Sequence, residues 1–320
     1  MGVAFIFPGQ GSQDVGMGAE LARAFPAARH VFEEVDAALG QKLSQIMWEG
    51  PKDVLTLTEN AQPALMAVSM AVMRVLEIER GFSLKDRVQF VAGHSLGEYS
   101  ALAAAGTFAI GDAARLLKTR GKAMQAAVPV GVGAMAALLG VGLDVARKVA
   151  EAAAQGDCCD IANDNEPTQV VLSGHKTAID RVAEVGKAYG VRRALPLPVS
   201  APFHCALMKP AADAMAEALA NVKMQAPVVP VVCNVLAAPI SDPAEIRRQL
   251  VAQVTGTVRW RECVAAMTTA GVTEFYEIGA GKVLSGLVRR IAKDASALSI
   301  GTPADLEAAS GLFDNPQARG

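Results

Sequence analysis

The segment VAGHSLGEYSA, residues 91–101, sets Ser95 at the centre of a Gly-x-Ser-x-Gly pentapeptide, with the beta-prone run Val88 to Val91 before it and a helix-prone run after it. A serine between glycines at a strand-to-helix junction is the arrangement of a nucleophile elbow: the glycines allow a very tight turn, and the hydroxyl stands exposed in front of a helix N-terminus. The chemistry it points to is attack on an acyl carbonyl. The backbone N–H of Leu96 is then aimed at the oxyanion that forms.

A serine nucleophile needs a base, and the chain has four histidines. His30 lies in a charged helical stretch with Arg29 and Glu33, and His175 in the polar turn SGHKT; both read as solvent-exposed. His94 is the serine's neighbour, so its side chain should diverge from Ser95 at the turn, and it reads as a packing residue. His204 remains, in the apolar segment PVSAPFHCALM that carries Pro198 and Pro202, an odd place for an ionisable ring unless chemistry requires it. Serine before histidine is also the chain order of α/β-hydrolase triads. No Asp or Glu stands out as a third member, which leaves a backbone or amide carbonyl to orient the imidazole.

Two glycine-rich stretches invite a cofactor reading, and both fail it. In FPGQGSQ, residues 7–13, the position of a third fingerprint glycine is taken by Asp14; GVGAMA, residues 131–136, leads into a strand, the reverse of a pyrophosphate turn. The first loop is instead placed, after a buried first strand, to supply a second oxyanion N–H. Arg120, in AARLLKTRGKAMQ, is set apart from Arg115, Lys118 and Lys122 by lying among apolar residues beside Gly121. The other three read as a solvated face.

The elements that must hold these residues come from the rest of the chain. At 320 residues it can bury a substantial core, and 30 Lys plus Arg against 32 Asp plus Glu give no general attraction to nucleic acid or an anionic membrane. Five cysteines without CxxC or a Cys/His zinc spacing predict reduced thiols in the cytoplasm and no metal. The start, MGVAFIFPGQG, lacks a basic region and reads as a first strand rather than a signal peptide. Apolar stretches are broken short of the roughly 20 residues of a membrane span.

Residues 15–80 read as mostly helical, with AQPALMAVSMAVMRVLEIER, residues 61–80, as a deeply buried helix. After Pro129 the character changes to strand, helix, strand, helix, strand, a compact α+β unit of about 70 residues. Long helices then resume near 206–222, 243–252 and 260–270, with core strands VPVVCN and VTEFYEI. The expected division is a catalytic domain of 1–128 and 198–305, an inserted small domain of 129–197, and a loose tail of 306–320.

Taken together, FIFPGQGSQ, GHSLGEYSALAAAG, RGKAMQ, ALPLPVSAPFHCALM and YEIGAGKVLSGL resemble, in order and over nearly the whole chain, the malonyl-CoA:acyl carrier protein transacylases of bacterial type II fatty acid synthesis. The resemblance implies an α/β fold: an α/β-hydrolase-like large domain carrying a ferredoxin-like α+β small domain. It implies that Ser95 becomes malonylated, that His204 is its base, and that Gln10 and Leu96 supply the oxyanion N–H groups. It further implies that Arg120 pairs with the free malonyl carboxylate and that the backbone carbonyl of Gln253 orients His204, although the TGT that follows QV departs from the family's Asn-Pro-containing pattern. Phe203 before His204 accompanies malonyl rather than methylmalonyl units in related polyketide enzymes. The implied partners are malonyl-CoA and holo-acyl carrier protein, with no cofactor, and the paired cations Arg192/Arg193 and Arg289/Arg290 are candidates for docking an acidic carrier. Against this stand a malonyl transferase of a polyketide pathway, a plain serine esterase, which would not need Arg120, and a silent docking module.

Overall fold

The computed structural model of the chain describes residues 2–199 and 201–313. In chain order its strands are β1 (Gly2–Phe7), β2 (Phe90–Gly93), β3 (Gly133–Leu139), β4 (Cys159–Glu166), β5 (Gln169–His175), β6 (Arg193–Pro196), β7 (Val231–Cys233), β8 (Ala238–Ile240), β9 (Val272–Ile278) and β10 (Ser296–Ile300). They form a mixed α/β fold with two sheets. One has the order β10-β9-β1-β2-β7-β8 and is parallel except at the β7–β8 edge; the other has the order β4-β5-β3-β6 and is antiparallel throughout.

β1 is the hinge of the first sheet. Its last four residues, Ala4 to Phe7, are fully buried, as a continuous apolar run predicts for a parallel strand covered on both faces. The chain leaves β1 toward β2 on one side and returns to β9 on the other, so the carboxyl ends of β1 and β2 open onto a crevice where loops can gather. Behind them lies the Thr58–Arg80 helix, buried at nearly every position from Ala61 to Leu76. By length and composition alone this helix could cross a membrane, but 83% of its apolar window is buried inside the protein.

All four strands of the second sheet come from residues between β2 and β7 of the first. The join is a short parallel bridge in which Val258 accepts the N–H of Asp164 at 2.9 Å and donates its own to Ala162 at 2.9 Å. Arg261 adds an ion pair to the buried Asp164 at 2.8 Å.

β4, with the sequence CDIANDNE, has no apolar alternation to announce it; its polar side chains are taken up by such links.

The segment expected as a loose tail from 306 is ordered through Phe313, and 314–320 lie outside the described residues. Thr302 and Asp305 cap the Pro303–Ala308 helix reciprocally. Phe313 is 3% exposed and meets Tyr276, Phe82 and Phe5 with ring centroids at 5.1, 5.4 and 5.9 Å. The polar residues around it hid one apolar anchor. Phe313→Ala in the full chain should lower the unfolding free energy by about 3 kcal/mol in a denaturant titration. A loss under about 0.5 kcal/mol would mean the segment carries no core.

Candidate active site

The Gly-x-Ser-x-Gly turn is forced by contact. A Cβ on Gly93 would lie 1.9 Å from the backbone of Gly97, and one on Gly97 would lie 2.2 Å from the carbonyl oxygen of Phe7, so neither position tolerates a side chain. Between them Ser95 sits at φ 54, left-handed backbone that costs a non-glycine residue about 1–2 kcal/mol. The cost is offset by hydrogen bonds that fit only this geometry. His94 donates its N–H to Phe7 at 3.1 Å, Ser95 donates its own to Asn234 Oδ1 at 2.8 Å, and Asn234 Nδ2 donates to the Gly93 carbonyl at 2.7 Å.

The other half of the site arrives from residue 204. His204 is also left-handed, at φ 57, and 3% exposed. Its Nε2 lies 2.7 Å from Ser95 Oγ, and its Nδ1 lies 2.9 Å from the backbone oxygen of Gln253. A carbonyl can only accept, so Nδ1 carries the hydrogen and Nε2 is left to accept the serine's proton. Gln253 comes from the Pro243–Thr255 helix and is fully buried.

Arg120, 1% exposed, reaches the same point from the Ile110–Ala126 helix. Its guanidinium donates to Gln62 Oε1 at 2.7 Å, Gln253 Oε1 at 2.9 Å and Ser95 Oγ at 3.1 Å, and it lies 5.7 Å from the centre of the Tyr99 ring. A Cβ on Gly121 would strike the backbone of Glu59 at 2.5 Å, so that glycine lets the two helices approach closely enough for Arg120 to meet Gln62. A cavity of about 450 Å³ opens onto the group, lined by Gln10, Ser95, Leu96, Arg120, Phe203 and His204 among others.

A family model, the acyl transferase domain, matches residues 4–303. The chain belongs to the acyl transferase family. It is 47% identical over 306 residues to a malonyl CoA-acyl carrier protein transacylase of Salmonella typhimurium, covering 96% of this chain and 98% of that protein. Among solved structures it is similar to an acyl-carrier-protein-S-malonyltransferase of Bartonella henselae, at 57% identity and TM-score 0.95 over 98% of this chain and 99% of that one. It is also similar to a malonyl-transacylase solved in complex with a type II PKS acyl-carrier protein, at 43% identity and TM-score 0.94 over 98% of this chain and 100% of that one.

Gln62, Glu98 and Asn234 also meet at this group and were not singled out by sequence. Glu98, fully buried, accepts from the Asn234 N–H at 3.0 Å and from Gln253 Nε2 at 2.9 Å. Burial pushes its carboxyl up to about 7 against the pull of those two donors. Its place in the first turn of the helix after the elbow was the only available signal. The remaining histidines divide. His30 is exposed as expected, His94 is held by Asn165 Oδ1 at 2.8 Å and lies near Trp260, but His175 is half-buried, with Nδ1 accepting the Cys158 N–H at 2.9 Å. Of the paired cations, Arg290 is engaged by Glu166 and Arg289 by the Ala297 carbonyl at 2.6 Å, whereas Arg192 and Arg193 are exposed.

Burial, and then the charge of Arg120, depress the His204 imidazole from 6.5 to about 3. As pH falls below 6.5 an unfolded chain takes up a proton that folded His204 refuses, so this residue costs stability across the window from 6.5 down to about 3. In an NMR titration assigned with His204→Ala, the His204 ring should stay neutral through pH 6.5 and titrate well below it. A midpoint at or above 6.5 would show that the ring is neither dry nor close to a cation.

Proposed function

We propose that this chain transfers a malonyl group from malonyl-CoA to the phosphopantetheine thiol of holo-acyl carrier protein through a malonyl ester on Ser95. The observation that carries the reading is a buried guanidinium whose partners are neutral oxygens, facing a cavity it shares with a Ser–His couple. A buried cation with no carboxylate in hydrogen-bond contact is expensive, and a substrate carboxylate in that cavity offsets the expense with a bidentate, charge-assisted pair.

In this mechanism His204 takes the Ser95 proton as Oγ attacks the malonyl thioester carbon, while the Gln253 carbonyl holds the ring and Arg120 holds the far carboxylate. The N–H groups of Gln10 and Leu96 receive the oxyanion. Collapse expels the coenzyme A thiolate, which takes the proton from His204. The carrier thiol then enters, loses its proton to the same nitrogen and attacks the ester carbon, and Ser95 leaves with its proton restored.

The division into domains belongs to the same reading. Residues 129–197 form a ferredoxin-like insertion in an α/β-hydrolase-like domain of 1–128 and 198–305. Its support is the βαββαβ order, with the second, third, first and fourth strands side by side. The proposed setting is the cytoplasm, in keeping with five free cysteines. A second reading, a carrier from a polyketide pathway, is favoured by the relative solved with such a carrier.

With malonyl-CoA and no carrier, water is a poor substitute for the thiol, and a malonyl ester should accumulate on Ser95, seen by intact mass and peptide mapping. An adduct on another residue would overturn the mechanism.

Arg120 sets acyl choice. In Arg120→Ala, kcat/KM for malonyl-CoA should fall about ten- to hundredfold, the value of one charge-assisted pair. Acetyl-CoA never used that pair and was penalised by the unpaired cation, so its transfer should fall far less or rise. Arg120→Lys should recover only part, because an ammonium lacks the two-pronged geometry. Equal losses for both thioesters in a folded variant would remove the carboxylate clamp, and with it the distinction from a plain esterase.

A further inference from the structure

A second cluster of reactive side chains lies beside the catalytic turn and takes no part in the proposed chemistry. In extended chain, residues two apart face the same side, and Cys158, the residue before β4, and Asp160, the second residue of β4, are two apart. Against them comes Cys205, the residue after His204, fully buried. The two sulfurs and a carboxylate oxygen of Asp160 all lie within 4.8 Å of one another. Cys158 Sγ donates to Asp160 Oδ2 at 3.3 Å, and the same oxygen accepts the Ala206 N–H at 2.8 Å. The three donors are therefore converged and oriented by bonds that cross from the second sheet to the His204 loop.

We propose that Cys158, Asp160 and Cys205 form a site for a thiophilic divalent cation of the zinc class, with water as the fourth ligand. Two thiolates and a carboxylate are a donor set suited to zinc. Ligands bound at their usual distances in a tetrahedron stand roughly 3.5–3.8 Å apart, so the cluster needs to draw in by about 1 Å at most. Binding replaces two S–H bonds with two metal–sulfur bonds and sends two protons to solvent. Cys158 is half-buried, which leaves an approach from solvent.

Occupancy reaches His204 through a single peptide bond. The Cys205 thiol donates to the Pro202 carbonyl at 3.1 Å, tying the turn that holds His204 in its left-handed conformation. A metal takes that proton away and turns the sulfur from donor to anion. The turn loses a tie, and acyl transfer slows reversibly.

The test uses the reduced full-length protein. Cadmium should produce a thiolate charge-transfer band in the ultraviolet that saturates at one equivalent per chain, with about two protons released. Zinc should abolish the band by competition. Cys158→Ser should lose the band, and Asp160→Asn should keep it while binding about tenfold more weakly or worse. Zinc should slow the wild-type enzyme, a chelator should restore it, and Cys158→Ser should escape the effect. The absence of a band from the reduced protein, or a band unchanged in Cys158→Ser, would overturn the site. So would peptide mapping that finds Cys158 and Cys205 joined on oxidation while the reduced protein takes no metal. The band does not depend on turnover, so its failure is distinguishable from failure of the proposed acyl transfer.

Discussion

The site depends on one fully buried amide, Gln253. Its backbone oxygen fixes His204, its side-chain oxygen accepts from Arg120, and its side-chain nitrogen donates to the Ser95 carbonyl at 3.0 Å and to Glu98 at 2.9 Å. Only a residue with an acceptor and a donor at one end, on a stem long enough to reach across from a helix, can satisfy all of these at once. A glutamate there would set a second negative charge against Glu98; a methionine would leave Arg120 and Glu98 each short of a partner in a place where water cannot replace it. The side chain spaces the charged groups, while the backbone of the same residue aims the base.

That arrangement explains how two strained turns coexist. Ser95 and His204 both occupy left-handed backbone, and each is pinned by a bond to a residue far away in sequence, Ser95 to Asn234 and His204 to Gln253. Conformational strain of this kind persists only where the surroundings over-determine it. Here the surroundings are the ends of buried strands and the N-terminal turn of a helix packed beneath the elbow, so the cost is carried by the core and the hydroxyl and imidazole are held about one hydrogen bond apart before any ligand arrives.

How much of this could be read from the sequence follows from where each piece of information lies. The elbow was legible because its glycines lie two residues to either side of the serine they serve. His204 was legible because a ring nitrogen amid prolines and apolar residues has few structural reasons to be there. Glu98, Asn234 and Gln62 were not, since each gains its role only where three elements cross, and a lone amide or carboxylate on a helix or at a strand end carries no local mark of burial. β4 escaped for a related reason: its polar residues are satisfied by a distant helix and loop, so alternation, the usual sign of a strand, is absent. Phe313 shows the reverse case, one aromatic in a polar stretch whose partners on β1 and just beyond the Thr58–Arg80 helix, Phe5 and Phe82, are hundreds of residues away.

Arg120 and His204 also constrain one another. The guanidinium donates to Ser95 Oγ, the same atom that Nε2 must deprotonate, and its charge is the second cause, after burial, of the depressed imidazole. The cation therefore opposes the base. On the proposed function a malonyl carboxylate changes the sign of this arrangement: paired with the guanidinium, it offsets the charge that disfavours a protonated ring and competes for the N–H groups now spent on Ser95. The serine oxygen is freed and the imidazole becomes more basic in the same event. A thioester lacking the carboxylate leaves both restraints in place. Specificity in such a site resides as much in the basicity of His204 as in the affinity of Arg120, because the charge that recognises the substrate is the charge that holds the base in check.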